Sequence, residues 1–307
     1  MPNTLVHFAA QGAASRGLWR RLDPRWIYLG CLLPDVPWIL RRVAVAAGLT
    51  LDPVDVRLYT MAQASLAGTL LLCGALALAT LAPRLVFATL GTNALLHLLL
   101  DACEVKWGNG VHLFAPFSWR MTSFDLVSGQ STAVLALTVA GALLVAGEIV
   151  RPPLPTIGLA RRRRRLLAAS GLLAAYIVVP LPFLGAIEAS DSYSVKVMRE
   201  AAQRAGRTVR FDRTAFRATP AGGFVEAWTG ERLRAVGDVP DHDAQVSLVG
   251  TFLAPDVLRV DRLAEHRQDR DWPSYLALVL LALLWVRPHL PGRAARGPAA
   301  RERSPGP

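Results

Sequence analysis

The sequence predicts a mainly α, polytopic helical membrane protein with a small β-rich extracytoplasmic domain inserted before the last span. Three observations carry this. Of 307 residues, 52% are hydrophobic and 19% charged, and the mean hydropathy is +0.33; that excludes a disordered chain and is unusual for a soluble globule. Long uncharged apolar runs recur at residues 62–82, 85–103, 132–150 and 166–187, each matching the roughly 20 residues needed to cross hydrocarbon. Residues 189–271 are polar, with short apolar runs punctuated by glycine and proline.

Taken in order, the start Met1-Pro2-Asn3-Thr4-Leu5 has neither a basic region nor a short apolar core, so no cleavable signal peptide is expected. Residues 26–49 are apolar but interrupted by Pro34, Asp35, Pro37, Arg41 and Arg42, and are read as a non-spanning, interfacial or re-entrant pair of helices. A fifth span at 272–286 covers only about 22 Å and relies on Trp272, Tyr275 and Trp285 as interfacial anchors. The expected units are a helical membrane domain (1–188), the β-rich domain (189–271), the last transmembrane helix (272–287) and a basic, disordered cytoplasmic tail (288–307).

Arginine sets the orientation. Five consecutive arginines fill 161–165, and Arg287, Arg293, Arg296, Arg301 and Arg303 follow the last span. Both groups are expected on the cytoplasmic side of the inner membrane, which leaves 189–271 outside. The basic runs lack interleaved aromatics, so membrane lipid rather than nucleic acid is the expected partner; the oligomeric state is left open. Cys31, Cys73 and Cys103 sit in apolar sequence and read as small buried hydrophobes.

Within 189–271, residues 192–205 read as a helix. Val209 and Phe211, Phe224 and Val225, Val246 and Leu248, and Leu258 and Val260 mark four or five strands. A partly open barrel of the OB type is one solution. Asp241-His242-Asp243 follows Pro240 and reads as a solvated turn.

Ionisable residues inside apolar helices cost about 2.5–3.5 kcal/mol for a central Asp, so they are the candidates for chemistry. His97 and Asp101 are four apart and share one helix face, with Asn93 a turn earlier. They can ligate a metal or form a hydrogen bond between helices. His7 opens an apolar helix, Asp35 lies in a proline-bracketed break, and His112 follows the Gly108-Asn109-Gly110 turn in an aromatic-rich loop expected over the helix end. Two His and two Asp suit Zn²⁺ first, with Mn²⁺ second.

The order His7, Leu33-Pro34-Asp35, His97-xxx-Asp101, then Gly110-Val111 and Pro116 resembles the LexA-regulated, membrane-bound metal-dependent hydrolase family, itself distantly similar to zinc-dependent phospholipase C. The resemblance covers about residues 1–120. It implies His7, Asp35, His97 and Asp101 as metal ligands. Two features depart from that family. Pro37 stands where a second Asp is usual, and residues 57–65 lack the histidines of its H-R-G-x-T-H-S motif, with Gln63 a substitute for one and His112 for another.

A single site needs its ligands on one side. The span at 85–103 is expected to end outside, so His97 and Asp101 lie near the outer surface. A non-spanning 26–49 then leaves Arg16, Arg20, Arg21 and Arg25 outside. The expected activity is metal-dependent hydrolysis of a phosphoester or lipid, with Asp35 or Asp101 as general base. The alternative is a non-catalytic scaffold working through its outer β-domain. A transporter is disfavoured, because the spans carry few polar faces and Glu148 and Glu188 lie near span ends.

Overall fold

The computed structural model describes residues 3–18, 22–152, 154, 156–220, 222–267 and 271–289. Arg20, Arg21 and the basic tail from 290 onward lie outside the described residues. The helices are α1 (Thr4–Leu18), α2 (Pro24–Leu32), α3 (Val36–Ala46), α4 (Pro53–Gln63), α5 (Leu66–Leu78), α6 (Pro83–Cys103), α7 (Thr132–Val150), α8 (Arg163–Val178), α9 (Leu184–Ala189), α10 (Val195–Arg199) and α11 (Asp271–Val286). Local chemistry places their starts. Asp23, Asp52, Ser65 and Ser131 accept hydrogen bonds from first-turn amides of α2, α4, α5 and α7. Pro24 and Pro53 occupy first-turn positions where no amide hydrogen is needed. Pro34 and Pro37 do the same for a 3-10 turn at Leu33–Asp35 and for α3.

Among the described residues, α6, α7 and the stretch Arg163–Ala189 are long and apolar enough to cross a membrane. The run at 62–82 is not one straight span. Ser65 caps a new helix there, and α4 and α5 meet at 65°; α5 alone is 13 residues, about 20 Å. The last helix has 16 residues.

Side-chain partners give the helices their directions. α1 runs parallel to α7: Asn3 Nδ2 donates to Thr138 at 2.8 Å, and Arg16 pairs with Glu148. α11 runs the same way, with Ser274 Oγ accepting from the Thr4 amide and Trp285 packing edge-on to Trp26 at 5.1 Å. α2 and α6 run parallel to each other and against α1: Gly30 lies against Leu90 and Asn93 and Asp35 faces His97, whereas His7 meets Asp101 and Ser15 meets Asn93. α5 begins where its Leu66 amide meets the His112 carbonyl; just past its end, the Leu81 amide meets the Gly158 carbonyl. One end of the bundle therefore collects Arg16, Arg25, Arg151 and Arg287.

The opposite end carries the β-domain. Arg41 donates to the Trp228 carbonyl there at 3.3 Å. Residues 24–46 thus run from the arginine end, where Arg25 meets the Leu154 carbonyl, to the barrel end. Among the described residues, no helix in 24–46 is by itself long and apolar enough to cross a membrane, as expected for this interrupted run; the difference from the interfacial or re-entrant reading of 26–49 is that the run goes from one end of the bundle to the other. It also moves Arg16 and Arg25 away from the barrel side. The physical reason is that α1 itself threads the bundle, so His7 reaches the barrel-side half without 26–49 having to turn back.

The barrel strands are β1 (Thr208–Thr219), β2 (Gly222–Glu226), β3 (Arg232–Gly237), β4 (Ala244–Ala254) and β5 (Val257–His266). They close in the order β1-β2-β3-β5-β4, with β3 and β5 parallel. The barrel is closed rather than partly open because the 12-residue β1 pairs with both β2 and β4. Val209, Phe211, Phe216, Leu233, Leu248 and Phe252 fill its interior. Gly223 is required there: a Cβ would sit 2.2 Å from the Phe216 ring. The helix expected over 192–205 is broken into short turns around α10, because Asp191, Tyr193 and Ser194 hold left-handed φ values of 49°, 59° and 55°.

The connection from α6 to α7 seats the barrel. Arg213 reaches Glu104 at 3.3 Å, Asn109 Nδ2 donates to Asp212 at 3.3 Å, and Gln130 Nε2 donates to the Glu265 carbonyl at 3.2 Å. As expected, this segment packs over the end of α6, with Val111 against Leu98 and Ala102.

Candidate metal centre

Helical spacing builds the centre. On α6 the four-residue step puts His97 and Asp101 on one face, both fully buried. α1 delivers His7, also fully buried, because Gly141 of α7 lets the Leu5 carbonyl approach closely. The 3-10 turn delivers Asp35. Its carboxylate makes no capping bond to α3, so it is free to turn toward His97.

The donor atoms converge. His7 Nε2 lies 3.3 Å from Asp101 Oδ1, and His97 Nε2 lies 3.8 Å from Asp101 Oδ2 and 3.6 Å from Asp35 Oδ1. The imidazoles stack, with centroids 3.9 Å apart and planes at 12°. Ligand atoms of His7, His97 and Asp101 all lie within 4.8 Å of one another. None of these close approaches has hydrogen-bond geometry: His7 Nε2, His97 Nε2, Asp35 Oδ1 and both Asp101 oxygens are buried without a hydrogen-bond partner. Leaving one buried polar group unsatisfied costs about 1–3 kcal/mol, and here four such atoms share one small volume with Asp101 Oδ2, which has only the Lys106 ammonium beside it. Donors of a tetrahedral site at about 2.1 Å from zinc are about 3.4 Å apart, close to the spacings seen. The donor set therefore fits a divalent cation, and fits a His–Asp hydrogen bond between helices poorly.

A surrounding shell orients the donors. Gln11 Nε2 lies 3.3 Å from His7 Nδ1, while Gln11 Oε1 is buried without a partner. Exchanging the amide oxygen and nitrogen lets Nδ1–H donate to Oε1 and leaves the Nε2 lone pair for a metal. Lys106 Nζ, almost completely buried, sits 3.3 Å from Asp101 Oδ2 and 4.0 Å from Glu104 Oε2.

The other expected residues lie elsewhere. Asn93 Nδ2 donates to the Thr89 carbonyl, and its Oδ1 accepts from Ser15; it ties α1 to α6 one turn from the site. Gln63 Nε2 donates to Tyr59 and to the Tyr176 carbonyl, so it replaces no histidine of the centre. His112 is buried edge-on to Trp119 at 5.9 Å, and burial pushes its imidazole down to about 4. It is not part of the converging group.

Sequence reasoning missed Gln11, Glu104 and Lys106. The spacing Asp101-xx-Glu104-x-Lys106 just past the helix end was the available signal, because a chain leaving a helix folds its next side chains back over it. Asp241, His242 and Asp243 are exposed, as expected of a turn, with His242 paired to Asp241 and Glu265. Cys31 and Cys73 are buried; Cys103 is half-buried. Glu148 and Glu188 pair with Arg16 and Arg199. On the outer face of the barrel, against the α6–α7 connection, Ser247 Oγ donates to Asp212 and contacts His266 Nε2 at 2.7 Å. There the carboxylate orients the serine rather than the histidine, which is a strut and not a nucleophile with its base.

Comparison with family models, with curated proteins and with solved structures gave no match.

Proposed function

We propose that the protein is an integral membrane metal-dependent hydrolase acting on a phosphoester or lipid at the membrane interface. The resemblance to the LexA-regulated hydrolase family points the same way. The observation that carries the reading is the convergence of His7, His97 and Asp101, whose ligand atoms lie within 4.8 Å of one another, with Asp35 beside them only through His97 at 3.6 Å and no hydrogen bonds among the four. Zinc suits the two imidazoles and the carboxylates best, with manganese second.

A bound divalent cation supplies an acidified water and polarises a phosphoryl oxygen. His7 and His97 hold neutral nitrogen donors from two helices. Asp101 supplies the fully buried anionic donor. Asp35 is the more accessible carboxylate, its side chain 14% exposed, and is better placed to take a proton from water as general base. Lys106, 3.3 Å from Asp101, offsets the charge of that carboxylate.

The arrangement of arginines supports a cytoplasmic arginine end and an extracytoplasmic barrel, in the inner membrane. α1 then starts in the outer half and ends inside, which puts His7, His97 and Asp101 on one side. His97 lies six residues before the end of α6, roughly 9 Å below it, within reach of a lipid headgroup. The strand order and the parallel β3–β5 pair support an OB-type barrel.

The position of Gln63 favours a second reading, a scaffold that keeps the fold and works through its barrel. Elemental mass spectrometry of detergent-purified protein separates the two. Near-stoichiometric zinc or manganese, lost in His97→Ala/Asp101→Ala, supports the hydrolase and warrants a phosphoester screen. Metal-free protein isolated without chelators sinks it.

A further inference from the structure

We propose that the cavity between the barrel and the helical bundle binds a phosphate-type anion through Arg57. The proposal does not rest on the metal reading. The cavity holds about 550 Å³, within the range of small-ligand sites. Arg57 of α4 enters it from the bundle side, and Arg210, Arg213 and Arg232 enter from the barrel.

The Arg57 guanidinium is caged by aromatic rings. Its carbon lies 4.4 Å from the Trp228 ring centroid, 4.6 Å from Tyr193 and 5.7 Å from Trp38. The Nε atom is buried without a hydrogen-bond partner. Among the described residues no carboxylate comes within ion-pair distance of this cation, in contrast to Arg16, Arg25, Arg199 and Arg204. The two acids of the lining already have partners, and two of the barrel cations do too: Arg232 faces Glu226 and Arg213 is held by Glu104, which leaves Arg57 as the cation the proposal rests on. Asp212 accepts from Ser247 and Asn109, and Glu226 faces Arg217 and Arg232 at 3.8 Å.

A guanidinium crowded by three rings has few other places to go, and its planar set of donors is suited to bidentate contact with a tetrahedral oxyanion. Both walls also store backbone strain. Tyr193 under the guanidinium and Arg213 at the β1 bulge are left-handed, with φ of 59° and 54°. Non-glycine residues adopt this region at a cost and concentrate at ligand clamps. The anion has two sources, soluble phosphate or the phosphomonoester headgroup of a lipid, and the chemistry recognised is the same.

The test is tryptophan fluorescence, since Trp38 and Trp228 lie within 5.7 Å of the Arg57 guanidinium carbon and Trp107 lines the cavity. Full-length protein is titrated with inorganic phosphate in detergent. In parallel, it is reconstituted in nanodiscs of phosphatidylcholine with increasing phosphatidic acid. A saturable change with phosphate identifies a soluble anion; a change with phosphatidic acid alone identifies the lipid. In either arm Arg57→Gln weakens binding by at least about tenfold, and Arg57→Lys falls between. Arg210→Gln, at an exposed rim position, weakens it by a smaller factor without threatening the fold. Binding persists in His97→Ala/Asp101→Ala. The proposal is overturned by no saturable change with either probe, by unchanged binding in Arg57→Gln and Arg210→Gln, or by binding that disappears with the metal-centre variant.

Discussion

His7 and His97 come from helices that begin 79 residues apart in sequence (Thr4 and Pro83), yet their imidazoles stack at 3.9 Å with planes at 12°. Two protonated rings at that distance repel, and two neutral rings present lone pairs to a shared cation. The stack therefore ties the charge state of the centre to its occupant. The residues behind the rings decide whether the lone pairs face it.

Gln11 is the residue behind His7. Gln11→Ala removes the orienting amide at Nδ1 without touching a donor atom. Metal affinity is expected to fall about 10–100-fold, with little change in melting temperature. Competition against a metallochromic chelator measures it, and an unchanged affinity shows that the amide does not orient the ring.

Gly141 controls whether His7 arrives. A Cβ there would lie 2.0 Å from the Leu5 carbonyl oxygen, whereas Gly147 on the same helix has open space. Gly141→Ala is expected to push α1 off α7, cost about 1–3 kcal/mol and weaken metal binding. Gly147→Ala is expected to be neutral or slightly stabilising. Thermal unfolding and metal titration of the two variants form the comparison; equal behaviour would contradict the packing argument.

The direction of α1 is open to labelling. Gly17 is exposed and has no close neighbours, and Asp256 is exposed in the barrel. With Cys103 replaced by serine, Gly17→Cys is expected to react with a membrane-impermeant maleimide in inside-out vesicles, and Asp256→Cys in right-side-out vesicles. Labelling of both from the same face would refute the placement of Arg16 on the cytoplasmic side.

His112 gives a pH dependence. Its folded-state value is about 4, below the unfolded value of about 6.5, because burial penalises the imidazolium. The unfolded chain therefore takes up a proton that the folded chain refuses. Stability from this group is fully present above pH 6.5 and is lost as the pH falls from 6.5 to 4, by about 3 kcal/mol at most. His112→Phe, similar in volume and untitratable, should lack that step in unfolding measured across this range.

Much of the helical part is legible in the sequence because its signals are local. The run at 132–150 coincides with α7, since twenty apolar residues have one low-energy solution in hydrocarbon. The His97–Asp101 pair is legible because a four-residue step fixes two side chains on one helix face whatever surrounds them. The break at Ser65 is harder to see: a serine in an apolar run reads as tolerable within a span until its hydroxyl is found capping α5. Likewise, the left-handed residues 191, 193 and 194 that break up 192–205 are held by tertiary packing, against their own preference.

The sequence by itself determined that apolar helices dominate, that a strand-rich unit lies between 189 and 271, and that His7, Asp35, His97 and Asp101 are the ionisable residues out of place in apolar surroundings. Only the tertiary structure decided that they meet, that Lys106 and Gln11 stand behind them while Gln63 and His112 do not, and that 24–46 runs from one end of the bundle to the other. The reason is range. Periodicity and capping act over a few residues and are written in consecutive letters, whereas the parallel packing of α1 on α7 depends on a glycine more than a hundred residues away from the helix it admits.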